Sequence, residues 1–142
     1  TDSVVENFGW PCYEGTAKQS AYDAADLTLC ENLYAAPAAV TPPYFTYAQL
    51  QDVVPGETCP NGSSSISGIA FYNGSSYPAL YSGALFFADY SRQCMWVMPK
   101  GAGGQPDPAA VAVFGAGVAR PVDIKPGETT NLRVPLEMLS GK

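Results

Sequence analysis

Between residues 65 and 96 the chain reads SISGIAFYNGSSYPALYSGALFFADYSRQCMW, and this stretch limits the possible folds more than any other. Two runs, 65–72 and 84–89, are dense in β-branched and aromatic residues and bounded by Gly, Ser, Asn and Pro, the composition of strands set between turns. A third run, Cys94–Met98, follows after only Tyr90-Ser91-Arg92-Gln93, a break short enough for a hairpin. Neighbours joined so tightly form an antiparallel meander. After the turn-rich PKGAGGQPDP at 99–108, a fourth run at 110–114 pairs naturally with the third. Four strands in sequence with short connections are the unit of a β-propeller blade.

The rest of the chain is hostile to long helices, because 14 Gly and 13 Pro in 142 residues favour turns and short strands. NFGWPCYEG at 7–15 alternates aromatics with Gly and Pro and predicts a tight, packed loop or strand end. Residues 23–34 predict one short helix, with Asp23 as N-cap, Leu27, Cys30 and Leu33 or Tyr34 at helical spacing, and Pro37 beyond its end. A short aromatic strand is expected at 44–47, and a polar loop at 53–65. RPVDIK at 120–125 is expected to begin the inner strand of another blade. The tail offers one more strand at 129–138, which Pro135 would confine to an edge. The fold class expected is mainly β: antiparallel four-stranded propeller blades, about two of them, with a disulfide-pinned loop or short-helix insertion. A length of 142 residues makes one domain, 1–142, the default.

Four cysteines stand at 12, 30, 59 and 94, none in a CxxC pair, and the chain has no histidine. A zinc site would need four scattered thiolates, so two disulfides and an oxidising, extracellular location are the better account. Three pairings are open; Cys12–Cys30 with Cys59–Cys94 closes the most local loops. The formal charge of −6, from seven Lys plus Arg against thirteen Asp plus Glu, gives no electrostatic reason to bind nucleic acid or anionic lipid. No apolar run is long enough to cross a bilayer. The first residues, TDSVVENFGW, have neither a basic n-region nor an apolar h-region, so a signal peptide is expected to be absent or already removed.

Several segments together carry a resemblance. NFGWPCYEG at 7–15, CENLYAAP at 30–37, VVPGETCPNGSSSISGIAFYNG at 53–74, YPALYSGALFFADYSRQCMWVM at 77–98 and ARPVDI at 119–124 resemble the C-terminal portion of the glucose/sorbosone dehydrogenase family. Residues 4–124 follow that likeness, and 125–142 form a divergent tail. The resemblance implies a six-bladed propeller of the soluble quinoprotein type, with pyrroloquinoline quinone (PQQ) and calcium as cofactors. It also implies that Arg120 pairs with a PQQ carboxylate, a task suited to a planar bidentate donor. The family's general base is a histidine from an earlier blade, and this chain has none. Catalytic residues are therefore not assigned, and no Asp-rich loop of the DxDxDG kind offers a calcium site.

Each candidate has a plainer alternative. Arg120 could instead pair with Asp123 on the surface. Trp10 and Tyr13 could stack on a sugar ring, although a Trp beside Gly and Pro more often belongs to packed core. Asp89 and Arg92 sit at a strand end, where ligand loops emerge, yet such residues more often cap the turn or pair with one another. Glu14, Asp23, Asp26 and Asp123 supply no carboxylate pair marked by spacing, and 63–67 lacks a GxSxG elbow. Asn61-Gly-Ser and Asn73-Gly-Ser are glycosylation sequons only if the source glycosylates its secreted proteins. Three functions follow as expectations. The first is a portion of a secreted sugar dehydrogenase-like propeller, inactive alone. The second is a non-catalytic module binding a sugar or polysaccharide. The third is a self-associating unit, because open sheet edges need covering by further blades or by other copies.

Overall fold

The structure is a computed structural model, and it describes residues 5–125. The chain divides into two compact units, Thr1–Thr46 and Tyr47–Lys142. The architecture is mainly β, with one two-stranded and one four-stranded antiparallel sheet and two disulfides. Among the described residues neither sheet closes on itself.

In the first unit, β1 (Tyr13–Glu14) and β2 (Ala17–Lys18) form a minimal hairpin, with Tyr13 opposite Lys18. The peptide bond between Trp10 and Pro11 is cis. In place of the single helix predicted at 23–34 there are two, α1 (Ser20–Ala24) and α2 (Thr28–Ala35). The N-cap of α1 is Gln19, whose side-chain oxygen accepts from the N–H groups of Ala21 and Tyr22 at 2.9 and 3.0 Å. Asp23 lies inside α1 and instead binds Lys18, at 2.8 Å. The break between the helices comes at Asp26, which adopts φ +47°, a conformation that Asp tolerates better than most residues and that no α-helix can include.

This unit has little core. Among its described residues only Gly9, Cys12 and Cys30 are fully buried, and the Cys12–Cys30 disulfide joins the hairpin to α2. Around it, the Tyr34 hydroxyl donates to the Cys12 carbonyl at 2.9 Å, and the Tyr13 and Tyr34 rings meet edge to face at 5.3 Å. Lys18 Nζ sits 4.0 Å above the Tyr34 ring. A bond of 2.8 Å from the Thr41 N–H to the Asn7 carbonyl ties the end of the unit to its beginning.

The second unit is the predicted meander. β3 (Ile66–Phe71), β4 (Leu85–Asp89), β5 (Cys94–Met98) and β6 (Ala112–Ala116) lie side by side in chain order, all antiparallel. The fourth strand begins two residues later than expected, because Pro108–Ala110 forms a 3-10 turn capped by the Asp107 carboxylate. All five residues of β5 are buried, as befits a central strand covered on both faces. One face presents Phe86, Ala88, Met95 and Val97, which pack with Tyr72, Ala84, Val118 and Ile124. The other presents Phe87 and Trp96, stacked at 5.3 Å, with Tyr47 lying across both.

The turn at 90–93 closes as its polar residues imply. Asp89 Oδ1 accepts from the Arg92 N–H at 3.0 Å, and Gln93 takes φ +52° to bring the chain back into β5. A register shift between Ile66 and Gly68 lets the Ser67 hydroxyl donate to the Pro121 carbonyl. Gly68 is required there, since a Cβ would stand 2.8 Å from an Ile124 side-chain carbon and 2.9 Å from the Ile124 nitrogen.

Three further expectations differ from the structure. Residues 44–47 form no strand, and Tyr47 instead crosses the sheet as a side chain. Residues 120–125 join no ladder; Pro121 lacks the N–H a ladder needs, and Ile124 is drawn into the core. Among the described residues there is one four-stranded sheet. The strand expected at 129–138 lies outside the described residues.

Candidate functional site

Polar chemistry gathers in two places. The first is inside the second unit, where Asp89 and Arg92 are both 0 % exposed. Asp89 Oδ2 accepts from the Tyr47 hydroxyl at 2.7 Å and the Ser65 N–H at 2.8 Å, while Oδ1 holds the Arg92 N–H. The Arg92 guanidinium does not turn to this carboxylate. Its Nε donates to Ser64 Oγ at 3.0 Å, and its two terminal nitrogens donate to the Gln51 and Ala48 carbonyls at 2.8 and 2.7 Å. It also lies 4.7 Å above the Tyr47 ring. On the same face Trp96 Nε1 donates to Glu57 Oε2 at 2.6 Å, and the Glu57 carboxylate accepts from the Val53 and Val54 N–H groups.

Asp89 and Arg92, expected as substrate contacts from their strand-end position, are enclosed and committed to internal partners. Together they bind residues 47–65, which have no regular structure, to the end of the hairpin. Such a cluster rigidifies a loop because each buried donor and acceptor is matched. No buried side-chain nitrogen or oxygen among the described residues lacks a partner.

Burial first, and then the hydrogen bond to Asp89, push the Tyr47 hydroxyl well above its ordinary pKa of 10. The fold therefore favours the neutral phenol. Its contribution is complete below pH 10, where the unfolded chain is also protonated, and is lost as pH rises through the folded value. Wild-type stability is expected to fall above about pH 10, and a Tyr47→Phe protein should show a shallower fall in urea titrations across that range. Equal slopes in the two proteins would count against this account.

The second place is the surface of the first unit. Trp10 is 72 % exposed, so it is not core. Beside it a groove of about 350 Å³ runs along α2, lined by Asn7, Trp10, Cys12, Leu29, Asn32, Leu33, Ala36 and Ala39. Asn7 is held in place by a 2.9 Å bond from the Gly9 N–H to its side-chain oxygen. Leu29, Asn32 and Leu33 fall on one helical face by their spacing of three and four residues, and Ala36 is the residue that caps the helix. Tyr13 does not join Trp10. It lines a second shallow groove of about 350 Å³, with Thr16, Pro37, Val40 and Pro42. The sequence does not single out Asn7 or Asn32, although the helical periodicity of α2 places Asn32 on the groove face.

Arg120, the candidate cofactor contact, is exposed, adopts φ +42° and stands 5.6 Å from the Tyr90 ring. Asp123, its alternative partner, pairs with Lys125 at 3.0 Å. Among the described residues no group of three or more His, Cys, Asp or Glu could hold a metal ion, and no helix is long and apolar enough to cross a membrane. Compared with models of protein families, with curated proteins and with solved structures, the chain matches none.

Proposed function

We propose that the chain is a portion of a secreted propeller of the sugar dehydrogenase type, which supplies scaffold and a sugar-contact surface but no general base. The observation that carries this reading is the sequential four-stranded antiparallel meander β3 to β6, with β4 and β5 buried at its centre, which has the strand order of one propeller blade. The two disulfides fit an oxidising destination. Arg120 is the residue of this chain that would meet a quinone carboxylate. A lone exposed arginine over a tyrosine is not a cofactor cradle, so the described residues do not by themselves fit PQQ. Without histidine, nothing in this chain matches the base of the family it resembles.

One feature favours the second reading, a non-catalytic carbohydrate-binding module. An exposed indole beside two carboxamides combines an apolar plane for a pyranose face with donors and acceptors for its hydroxyls. Exposed Ile69 and Phe71 on the edge strand β3 fit a further blade or a second copy set against that strand.

The test is titration of the chain with mono- and oligosaccharides, alongside dye-coupled oxidation with added PQQ and calcium. Binding without oxidation is expected, weakened about tenfold by Trp10→Ala, which corresponds to roughly 1.4 kcal/mol. Oxidation by the chain alone would overturn the non-catalytic assignment. Saccharide affinity that is undetectable, or indifferent to Trp10, would overturn the contact surface.

A further inference from the structure

We propose that Asn73 is an acceptor for N-linked glycosylation and that Asn61, in the other Asn-Gly-Ser sequence, is not. The difference lies in how the fold presents two identical triplets. After β3 ends, Tyr72 is buried, and its hydroxyl accepts from the N–H groups of Ser76 and Tyr77 at 2.8 and 3.0 Å. Residues 73–77 are thereby wrapped around the Tyr72 ring. Gly74, the middle residue of the triplet, faces that ring so closely that a Cβ would stand 2.7 Å from it. Asn73 and Ser75, on either side, are both exposed. The side chains an oligosaccharide transferase must read therefore face solvent, and a bulky glycan on Asn73 displaces no contact of the fold.

Asn61 is placed differently. It is half-buried, its Nδ2 donates to Asp52 Oδ1 at 3.0 Å, and its carbonyl accepts from the Leu50 N–H at 2.7 Å. It also lies two residues from Cys59, whose sulfur is bonded to Cys94 at the start of β5. A glycan on Nδ2 would break the Asp52 bond and crowd the loop that covers the sheet.

The reaction moves an oligosaccharide from a lipid-linked diphosphate donor to Asn73 Nδ2. A bond forms from the anomeric carbon to Nδ2, the anomeric carbon–oxygen bond to the diphosphate breaks, and the amide proton leaves with the lipid diphosphate. The inference rests on the export half of the proposed function and not on sugar oxidation or on the Trp10 groove.

The full chain, secreted from a eukaryotic host, would be weighed before and after peptide N-glycosidase, which marks each released site by converting Asn to Asp. One glycan is expected on the wild type and on N61Q, and none on N73Q. Ser75→Ala provides the second variant: it keeps Asn73 and its loop, and it should also abolish the glycan. A secreted protein of bare polypeptide mass, or a glycan that survives both N73Q and S75A, would overturn the proposal. Saccharide titration of the deglycosylated protein reports on the Trp10 groove separately, so the two ideas fail independently.

Discussion

Replacing Asp89 by alanine is expected to destabilise the second unit by about 3–5 kcal/mol, because three hydrogen bonds to a buried carboxylate are lost at once and their donors are left unsatisfied. The carboxylate takes hydrogen bonds from the Tyr47 hydroxyl and from the Ser65 and Arg92 N–H groups. Alanine would leave three donors facing a void. Asp89→Asn keeps the volume and one good acceptor oxygen but turns an NH2 toward former partners, so a smaller loss is expected. Urea denaturation followed by tryptophan fluorescence would measure both, because Trp96 lies in the same face of the sheet. If D89A unfolds at the wild-type denaturant midpoint, the cluster does not hold the 47–65 segment. A double-mutant cycle with Tyr47→Phe should also show coupling, since the two side chains share a hydrogen bond.

The second large effect concerns the first unit. Replacing both Cys12 and Cys30 by alanine is expected to unfold residues 5–46 while the four-stranded sheet stays folded. On the chain-entropy account, a bridge across 18 residues contributes about 3 kcal/mol. That is a large share of the stability available to a unit whose described core is little more than this bridge, since small units without a sizeable apolar core depend on such staples. Amide hydrogen exchange would read the result: protection should vanish in α2 and persist in β4 and β5. Uniform protection in the double variant would show that Tyr13, Tyr34 and the Lys18 contacts suffice. The same change at Cys59 and Cys94 is expected to lower stability without local melting, because the sheet keeps its two apolar faces.

These two effects separate what is legible along the chain from what is not. The strands are legible because β-branched and aromatic runs alternate with turn residues, and Cys94–Met98 has the bounds the sequence predicts. The break in the helix is not, because Asp26 in a left-handed conformation looks like any other acidic residue in a helical pattern. In the candidate groove the sequence marks Trp10 but not its surroundings. Asn7 and Asn32 come together only when the Cys12–Cys30 bridge brings the opening loop to α2. Asp89 and Arg92 look like surface residues of a hairpin, since nothing local announces that residues 47–65 will cover them.

By itself, then, the sequence determined the order of the four strands, the tight turn between β4 and β5, and the scarcity of helix. These follow from local propensity, short connections and the backbone limits of Gly and Pro, all of which act over a few residues. Loop length favoured the disulfide pairing that forms, Cys12–Cys30 with Cys59–Cys94, but the tertiary structure alone decided which polar residues are enclosed and which aromatic is left in water. Those outcomes depend on contacts between segments 18 to 44 residues apart, and no periodicity within a segment encodes what another segment will bring to it.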